Sequence, residues 1–262
     1  MRNFLIYKIL QLYLLNLRAG FRAFLKGFDY FRFREYVMAI KQISIEAGCH
    51  ESLAKLLDVG CGEEIWGVFA SKVLPFKVIA IDVSMEKLAL QKKIASRLNA
   101  VSFFPTQADA TNMLFSANSF EIINCFAVLP LLPDNGDIMV MKEIGRVLKK
   151  SGRAYITVGY GSQYKEQIDT ASTRGFSRVY NEEALLSRLV DPSGLRVVKK
   201  FFFTEPGFKF SELWFKMPFL LKLPFRWMMP VFTSLFLKEY DPLLSKSEDL
   251  RGVQGVFLVL KK

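Results

Sequence analysis

The feature that most constrains the fold is the segment Leu56–Gly62, LLDVGCG, in which an apolar run ends at two glycines separated by one residue. Glycine adopts backbone conformations that other residues avoid, so Gly60 and Gly62 permit a tight turn from a buried strand into a helix. A helix that begins at such a turn presents unpaired N–H groups to a ligand. The segment therefore predicts a strand, a ligand-binding turn and a helix in succession.

Apolar runs and helical patterns alternate from residue 54 to residue 204, and one further apolar run closes the sequence. Short buried strands that alternate with helices are typical of a doubly wound, mostly parallel sheet. Counting the apolar runs gives seven strands. We therefore expect an α/β fold built on a seven-stranded sheet.

Two carboxylates downstream of the turn suggest the kind of ligand. Asp82 ends the second predicted strand, 22 residues after Gly60, close to the spacing at which an acidic residue accepts both hydroxyls of a ribose. Asp109 lies between the third and fourth strands, where a carboxylate can accept a hydrogen bond from an adenine amino group. A dinucleotide-binding turn would place a third glycine at position 65, which is Ile65 here. The pattern favours an adenosyl ligand without a pyrophosphate.

The motifs DVGCG, AIDVS, QADAT and FEIINCFAVLPLLPD together resemble class I S-adenosylmethionine-dependent methyltransferases. The resemblance covers residues 54–204 and returns at the last strand. EIGRVLKKSGRAYITV is similar to the helix, turn and fifth strand of that family. The resemblance implies a Rossmann-like fold with an antiparallel last strand, S-adenosylmethionine as the cofactor and methyl transfer as the activity.

The resemblance also implies roles for individual residues. The residues at the methionine end of the cofactor would be Asp58, Gly60, Cys61 and Gly62. Asp82 would hold the ribose, and Val83 would border the adenine. The adenine edge would be recognised by Asp109 and Ala110, and the sulfonium would lie beside Phe126 and Ala127.

Two positions depart from the family pattern. Glu64 stands where many members have another glycine, and Leu129-Pro130-Leu131 replaces a polar Leu-Glu-His sequence after the fourth strand. No general base can be carried over from that position, so no catalytic residue is assigned. Methyl transfer is a displacement at an activated sulfonium, and positioning the reactants can supply much of its rate.

Acceptor-binding candidates follow the fifth strand. Tyr160 comes directly after that strand, at the edge where ligands bind in such sheets, and Arg178 and Tyr180 precede the next helix. The alternative for each of them is a purely structural role. The single histidine, His50, precedes the first strand and is not assigned as a base.

Two segments do not follow the alternating pattern, so we divide the chain into an N-terminal extension (1–50), a cofactor-binding core (51–204), an apolar insertion (205–250) and the final strand (251–262). Residues 1–41 carry eight basic and two acidic residues, which is +6 of the total net charge of +11. Five polar or basic residues recur at helical spacing and predict one basic face, namely Lys8, Gln11, Arg18, Arg22 and Lys26. The insertion has prolines at 218, 224 and 230, which predict short, broken helices. Neither segment is long and apolar enough to predict a transmembrane helix.

These segments separate the functional alternatives. A basic, aromatic helix can cover an edge of the domain or lie on an anionic membrane surface. The first hypothesis is a membrane-associated methyltransferase that acts on a lipid, a lipid-linked sugar or another amphiphilic small molecule. A nucleic-acid methyltransferase is disfavoured because the chain has no added RNA-binding module and lacks the N/D-P-P-Y/F motif after strand four. A non-catalytic binding or scaffold protein with the same fold is the third alternative.

Cysteine and histidine usage bounds the chemistry and the compartment. The three cysteines, Cys49, Cys61 and Cys125, form no disulfide framework and no paired metal-binding motif. With one histidine in the chain, we expect no metal site. The expected location is the cytoplasm, peripheral on the inner face of a membrane if the extension binds lipid.

Overall fold

A computed structural model describes residues 2–46, 54–169, 175–205, 208–240 and 253–262. Two residues considered above, Cys49 and His50, lie outside the described residues. The predicted segment boundaries after residues 50 and 250 lie there as well.

Three helices precede the sheet, namely α1 (Arg2–Arg18), α2 (Phe21–Lys26) and α3 (Tyr30–Glu46). The alternating region then contains β1 (Ala54–Val59), α4 (Trp66–Val73), β2 (Phe76–Asp82), α5 (Met85–Arg97), β3 (Phe103–Gln107), β4 (Phe120–Phe126), a short 3-10 helix (Leu129–Leu131), α6 (Gly136–Val147) and β5 (Leu148–Gly159). Strand–helix alternation is therefore present where the sequence predicts it.

The second half is less regular. A hairpin of β6 (Lys165–Asp169) and β7 (Gly175–Val179) precedes one continuous helical stretch, which runs through α7 (Glu182–Ala184), a π-helical segment (Leu185–Val190) and α8 (Asp191–Ser193). The remaining elements are β8 (Arg196–Thr204), α9 (Phe210–Lys216), α10 (Phe219–Arg226), α11 (Met229–Phe236), β9 (Lys238–Tyr240) and β10 (Val253–Lys261). The three short helices α9 to α11 agree with the proline spacing.

The main sheet has the strand order β3-β2-β1-β4-β5-β10-β8-β9. Neighbouring strands are parallel from β3 through β5, and β10 is antiparallel to both β5 and β8. This arrangement confirms the α/β Rossmann-like fold with an antiparallel last strand. The predicted count of seven strands was wrong, because β9 adds an eighth strand beside β8 and β6–β7 forms a separate pair. Both additions are short and polar, so no apolar run marks them.

Alternate residues of each central strand face opposite layers. Leu56 and Ile122 join an apolar cluster with α1, α3 and α4, whereas Leu57 and Ile123 join a second cluster with α6. This period-2 alternation is the expected consequence of strand geometry with helices on both faces. The N-terminal extension therefore completes one of the two helical layers.

The N-terminal helices break at Gly20 (φ 128°) and Gly27 (φ 54°), in backbone conformations that favour glycine. The single basic face was a wrong prediction, because Lys8 turns inward and donates to the Val73 carbonyl oxygen at 2.7 Å. The solvent-exposed face of α1 is apolar instead and consists of Ile6, Tyr7, Leu10, Leu14 and Leu17. Among the described residues, no helix has the length and apolar character needed to cross a bilayer.

Candidate functional site

The centre of the sheet offers the natural ligand site, because successive strands lead away from β1 in opposite directions on its two sides. In open α/β sheets, ligands bind at the carboxyl ends of the strands at this switch point. Asp58 lies near that end of β1, paired with Ala80 of β2 and Asn124 of β4. Its side chain is buried, so the site has a carboxylate at its base.

The turn after β1 requires glycine at its first position. Gly60 has φ +67°, and a Cβ there would lie 2.4 Å from Cγ2 of Val128. Gly62 also has a positive φ, +53°. Gln91 of α5 stabilises the turn, since its side-chain amide donates to the carbonyl oxygens of Gly62 at 3.0 Å and Glu64 at 2.7 Å.

Asp82 connects this turn to the second strand. Its Oδ2 accepts from the Gly62 N–H at 3.0 Å, and its Oδ1 accepts from the Ser84 N–H at 2.9 Å. A carboxylate has about four lone-pair positions, so these two bonds leave acceptor capacity for a ligand. Asp82 therefore has a fixed orientation and can still accept hydrogen bonds.

The residues predicted for the adenine lie beside Asp82 on an open surface. The Ala108 N–H donates to the Asp82 carbonyl oxygen at 3.3 Å, which brings the loop after β3 next to β2. Asp109 is exposed, and its Oδ1 accepts from the N–H and the hydroxyl of Thr111, both at 2.8 Å. Val83 has 65% of its surface exposed, and Ala110 is half-buried. The structure thus brings the predicted adenine residues together.

The two residues predicted beside the sulfonium end β4 on the other side of the turn. The Phe126 ring is buried against Trp66, with ring centroids 5.6 Å apart. Ala127 has φ +49°, and its N–H donates to Thr157 of β5. Together with Asp58, Gly60 and Cys61, Phe126 lines a cavity of about 20 Å³.

The N-terminal extension covers this cavity. Arg32 of α3 donates to the Phe126 carbonyl oxygen at 2.7 Å and to Glu35 at 2.8 Å. The Tyr36 hydroxyl donates to Glu64 at 2.9 Å, and Lys26 of α2 forms an ion pair with Glu64 at 2.8 Å. Arg32, Glu35 and Tyr36 are not among the site residues predicted from the sequence. The pattern that could have indicated them is their spacing of i, i+3 and i+4, which places three polar side chains on one face of an otherwise aromatic segment.

Burial and neighbouring charges set the protonation of the two central carboxyls. Burial raises the pKa of Asp58 to about 7, and the charges of Glu64 and Asp82 act in the same direction while Arg32 opposes them. Burial would also raise the pKa of Glu64, but Lys26 and Arg32 outweigh it and hold that pKa below its usual range. Glu64 is therefore a permanent anion near neutral pH, whereas Asp58 titrates.

A second cavity of about 370 Å³ adjoins the first and shares Arg32 and Glu64 with it. We call it the acceptor cavity. Its walls come from α2, α3, the ends of β5 and β10, and Arg226 of α10. Ala127 also lines it, so this cavity adjoins the residues that are predicted to lie beside the sulfonium.

The three predicted acceptor residues do not line either cavity. The Arg178 and Tyr180 side chains are buried around Asp137, which accepts from the Tyr180 hydroxyl at 2.8 Å and lies 3.1 Å from Nη1 of Arg178. Tyr160 packs on Phe202, with ring centroids 4.8 Å apart. In this structure, Arg178 and Tyr180 stabilise the packing of β7 on α6 and are closed to an acceptor.

Within the residues that the structure describes, no group of three or more His, Cys, Asp or Glu side chains is arranged to hold a metal ion.

One family model matches part of the chain. Residues 56–152 match a family model described as a methyltransferase domain. A search of curated protein sequences finds no match to the chain.

Solved structures share the fold at low sequence identity. A S-adenosylmethionine-dependent methyltransferase from Methanosarcina mazei has 16% identity and a TM-score of 0.55, over 83% of this chain and 96% of that chain. A phosphoethanolamine N-methyltransferase from Haemonchus contortus, in complex with S-adenosylmethionine, has 15% identity and a TM-score of 0.56, over 86% of this chain and 52% of that chain. The cyclase SpnF has 16% identity and a TM-score of 0.56, over 86% and 81%. The fold therefore occurs with more than one named activity.

Proposed function

We propose that the chain is a class I methyltransferase that uses S-adenosylmethionine, and that its acceptor is an amphiphilic molecule, a lipid or a lipid-linked compound, taken up at an anionic membrane surface. The observation that carries the proposal is the position of the N-terminal helices. They close the cofactor end of the site, form a wall of the acceptor cavity and expose apolar side chains to solvent.

The residues at the sheet edge fit the cofactor. Asp82 has free acceptor positions for ribose hydroxyls, and Asp109 has a second carboxylate oxygen for the adenine edge. The small cavity is lined by one cation, Arg32, and two carboxyls, Asp58 and Glu64, which suits the zwitterionic methionine end. Its volume of about 20 Å³ is smaller than that end of the cofactor. Binding therefore requires Arg32 and Tyr36 to move outward.

When bound, S-adenosylmethionine supplies a methyl group on a positively charged sulfonium. The protein's part is to orient the acceptor and to exclude water. Phe126 and Trp66 give the small cavity an apolar wall, and Glu35 is the buried carboxylate that faces the acceptor cavity. Orientation in a near-attack geometry can supply a large part of the rate without a dedicated base.

Cofactor affinity is expected to rise with pH. Asp58 holds a proton below a pKa of about 7 in the free protein, and a cationic ligand beside it favours the ionised form. Binding at pH 6 should therefore be about tenfold weaker than at pH 8, with the change levelling off above pH 7. Calorimetric titration with S-adenosylmethionine across this range measures the effect.

The Asp58→Asn variant supplies the control, since it has no carboxyl to titrate and its affinity should not follow this pH profile. The stability of the ligand-free protein gives an independent check, because it should also depend on the protonation of Asp58. Because the pKa of Asp58 is raised above 3.8 on folding, its contribution to stability is present at low pH and is lost as pH rises through about 7. An identical pH profile in wild type and Asp58→Asn would contradict the assignment.

The proposed membrane surface is apolar and bordered by cations. Besides the exposed face of α1, it includes Leu220 and Leu221 of α10, which are 75% and 60% exposed. The two helices are linked through Trp227, which contacts Tyr13 of α1. Exposed apolar patches of this kind mark interaction sites, and the basic residues of the N-terminal helices favour an anionic surface over an uncharged partner.

Vesicle flotation tests this surface. The full chain should float with vesicles of phosphatidylcholine and phosphatidylglycerol, and less with phosphatidylcholine alone. The triple variant Leu14→Ser, Leu220→Ser, Leu221→Ser should bind at least about tenfold more weakly, since each lost side chain removes apolar burial in the membrane interface.

The matched control changes three apolar residues elsewhere on the surface that are even more exposed, namely Val101→Ser, Leu114→Ser and Ile168→Ser. That variant should float like wild type. Equal flotation of both triple variants, or a dimer that the first variant dissociates, would overturn the membrane assignment.

A second candidate function is binding without methyl transfer. Pro130 and Leu131, in the 3-10 helix after β4, occupy the positions of the polar pair that is common in methyltransferases of this class. Incubating the chain with methyl-tritiated S-adenosylmethionine and a total lipid extract separates the two. Label that moves to the organic phase supports the proposed methyltransferase, whereas cofactor binding with no transfer to any lipid fraction favours the second candidate.

A further inference from the structure

We propose that a groove between α2 and α5 binds the phosphate group of an anionic amphiphile. The groove has a volume of about 640 Å³ and lies apart from the small cavity at the glycine turn. We call it the basic groove. The proposal deepens the proposed function and rests on it for the source of the ligand, a membrane or a lipid-linked acceptor.

The first observation is a concentration of unpaired cations. Five basic side chains and one carboxylate, Glu63, line the groove. Two of the five are occupied, since Lys26 pairs with Glu64 and Arg226 donates to the Lys26 carbonyl oxygen at 2.6 Å. The other three, Arg22, Lys93 and Arg97, have no carboxylate within 4.0 Å in the described part of the chain.

The second observation is that two of the cations lie side by side on one helix without a nearby acidic residue. Lys93 and Arg97 stand four residues apart on α5, where like charges repel, and no acidic residue lies three or four positions from either. Arg97 also packs over the break between α1 and α2. A Cβ at Gly20 would lie 3.3 Å from Nη1 of Arg97, so the glycine leaves room for the guanidinium.

The third observation is the apolar character of the remaining wall. Between the cations, the groove is lined by side chains such as Phe21, Leu90 and Ile94, and Phe21 is 74% exposed. Guanidinium groups bind phosphate oxygens in bidentate fashion, and the apolar wall suits an attached hydrocarbon chain. A nucleic acid would instead need a polar, basic track with aromatic side chains for base stacking, so an amphiphile fits better.

The fourth observation is the position of the groove between the other two functional surfaces. Lys26 and Arg226 line both the basic groove and the acceptor cavity. The exposed apolar residues of α1 precede the groove in the chain, and Leu220 and Leu221 lie six and five residues before Arg226 on the same helix. A phosphate held by Arg22, Lys93 and Arg97 would therefore hold an amphiphile beside the acceptor cavity.

The test uses the full chain and dodecyl phosphate below its micellar concentration, with dodecyl maltoside as the uncharged counterpart. Calorimetry should show dodecyl phosphate binding at least tenfold tighter than dodecyl maltoside. The variant Arg22→Gln, Lys93→Gln, Arg97→Gln should lose at least tenfold in dodecyl phosphate affinity. The matched variant Arg18→Gln, Lys92→Gln, Lys142→Gln removes three exposed cations that do not line the groove, and its affinity should stay within twofold of wild type.

Further arms distinguish the sources of the phosphate. Inorganic phosphate should bind at least tenfold more weakly than dodecyl phosphate, and equal affinity would overturn the amphiphile assignment. Tighter binding of a short single-stranded RNA that the groove variant abolishes would overturn it in favour of nucleic acid. Equal dodecyl phosphate affinity in both triple variants would place the site elsewhere.

S-adenosylmethionine affinity is measured on the same three proteins, and it should be unchanged because none of the substituted residues lines the small cavity. Loss of dodecyl phosphate binding with intact cofactor binding in the groove variant supports the proposal. Absence of cofactor binding in wild type would refute the proposed function, while the phosphate titrations would still decide the groove.

Discussion

Replacing Asp82 with alanine is expected to weaken S-adenosylmethionine binding by about 100-fold or more. Hydrogen bonds to a charged group contribute about 1.5–3 kcal/mol each, and the two ribose hydroxyls would lose theirs together. The substitution also frees the N–H groups of Gly62 and Ser84, which now fix the turn and the start of α5. Calorimetric titration of the folded variant measures the loss.

Two further variants serve as an intermediate case and a control for this prediction. Asp82→Asn keeps a side-chain oxygen but loses the charge, so its affinity should fall between those of wild type and Asp82→Ala. Glu86→Ala removes an exposed carboxylate from the first turn of α5 and should leave the affinity within about twofold, because surface charges contribute little. Unchanged affinity in Asp82→Ala would refute the ribose assignment.

Replacing Asp137 with alanine is expected to lower the free energy of unfolding by about 3–5 kcal/mol, because removing one partner of a buried ion pair leaves the other charge uncompensated. Asp137 accepts from Tyr180 at 2.8 Å and from Arg188 at 2.8 and 2.9 Å, and its side chain and that of Arg178 are wholly buried. Urea unfolding at neutral pH measures the change.

Asp134→Asn is the matched control for this cluster. Arg178 and Arg188 both donate to the Asp134 backbone carbonyl, so the side chain can change without loss of either bond. Its unfolding free energy should shift by less than about 1 kcal/mol. If Asp137→Ala were as stable as wild type and lost only acceptor turnover, Arg178 and Tyr180 would return as acceptor-binding residues.

The role of Asp82 could be predicted from the sequence, whereas the buried cluster around Asp137 could not. The strand–turn–helix around Gly60 and the carboxylate at Asp82 are encoded within 27 residues, and local glycine and apolar patterns are sufficient to predict them. The mostly parallel pairing of the strands follows from the same alternation, because a strand, a helix and a second strand in succession form a crossover between parallel strands.

The cover over the site depends on contacts between distant residues, which no local pattern reveals. Arg32 reaches Phe126 across 94 positions, and Tyr36 reaches Glu64 across 28. Glu64, which departs from the family's usual glycine, gains its role only when α2 and α3 fold over it. The pairing of Glu64 with Lys26 and Tyr36 gives that departure a physical reason.

The predicted acceptor residues illustrate a different difficulty, in which a local pattern suggests a binding role for residues that are buried in the structure. FSRVY contains the polar and aromatic residue types that bind ligands, and the same types also form buried hydrogen-bonded clusters. Which role applies depends on Asp137, 41 positions before Arg178, and therefore on how α6 packs on β7. The apolar face of α1 was missed for a similar reason, since Lys8 bonds to the carbonyl of Val73 far along the chain.

The most direct test of the proposed cofactor site is a crystal structure of the full chain with S-adenosylhomocysteine. We predict that the ribose hydroxyls bond to Asp82 and that the adenine lies between Val83 and Asp109. The amino-acid end should lie beside Asp58, with Arg32 displaced from the Phe126 carbonyl oxygen. Ligand bound in the basic groove, or a ligand elsewhere with the Arg32–Phe126 bond intact, would contradict the account.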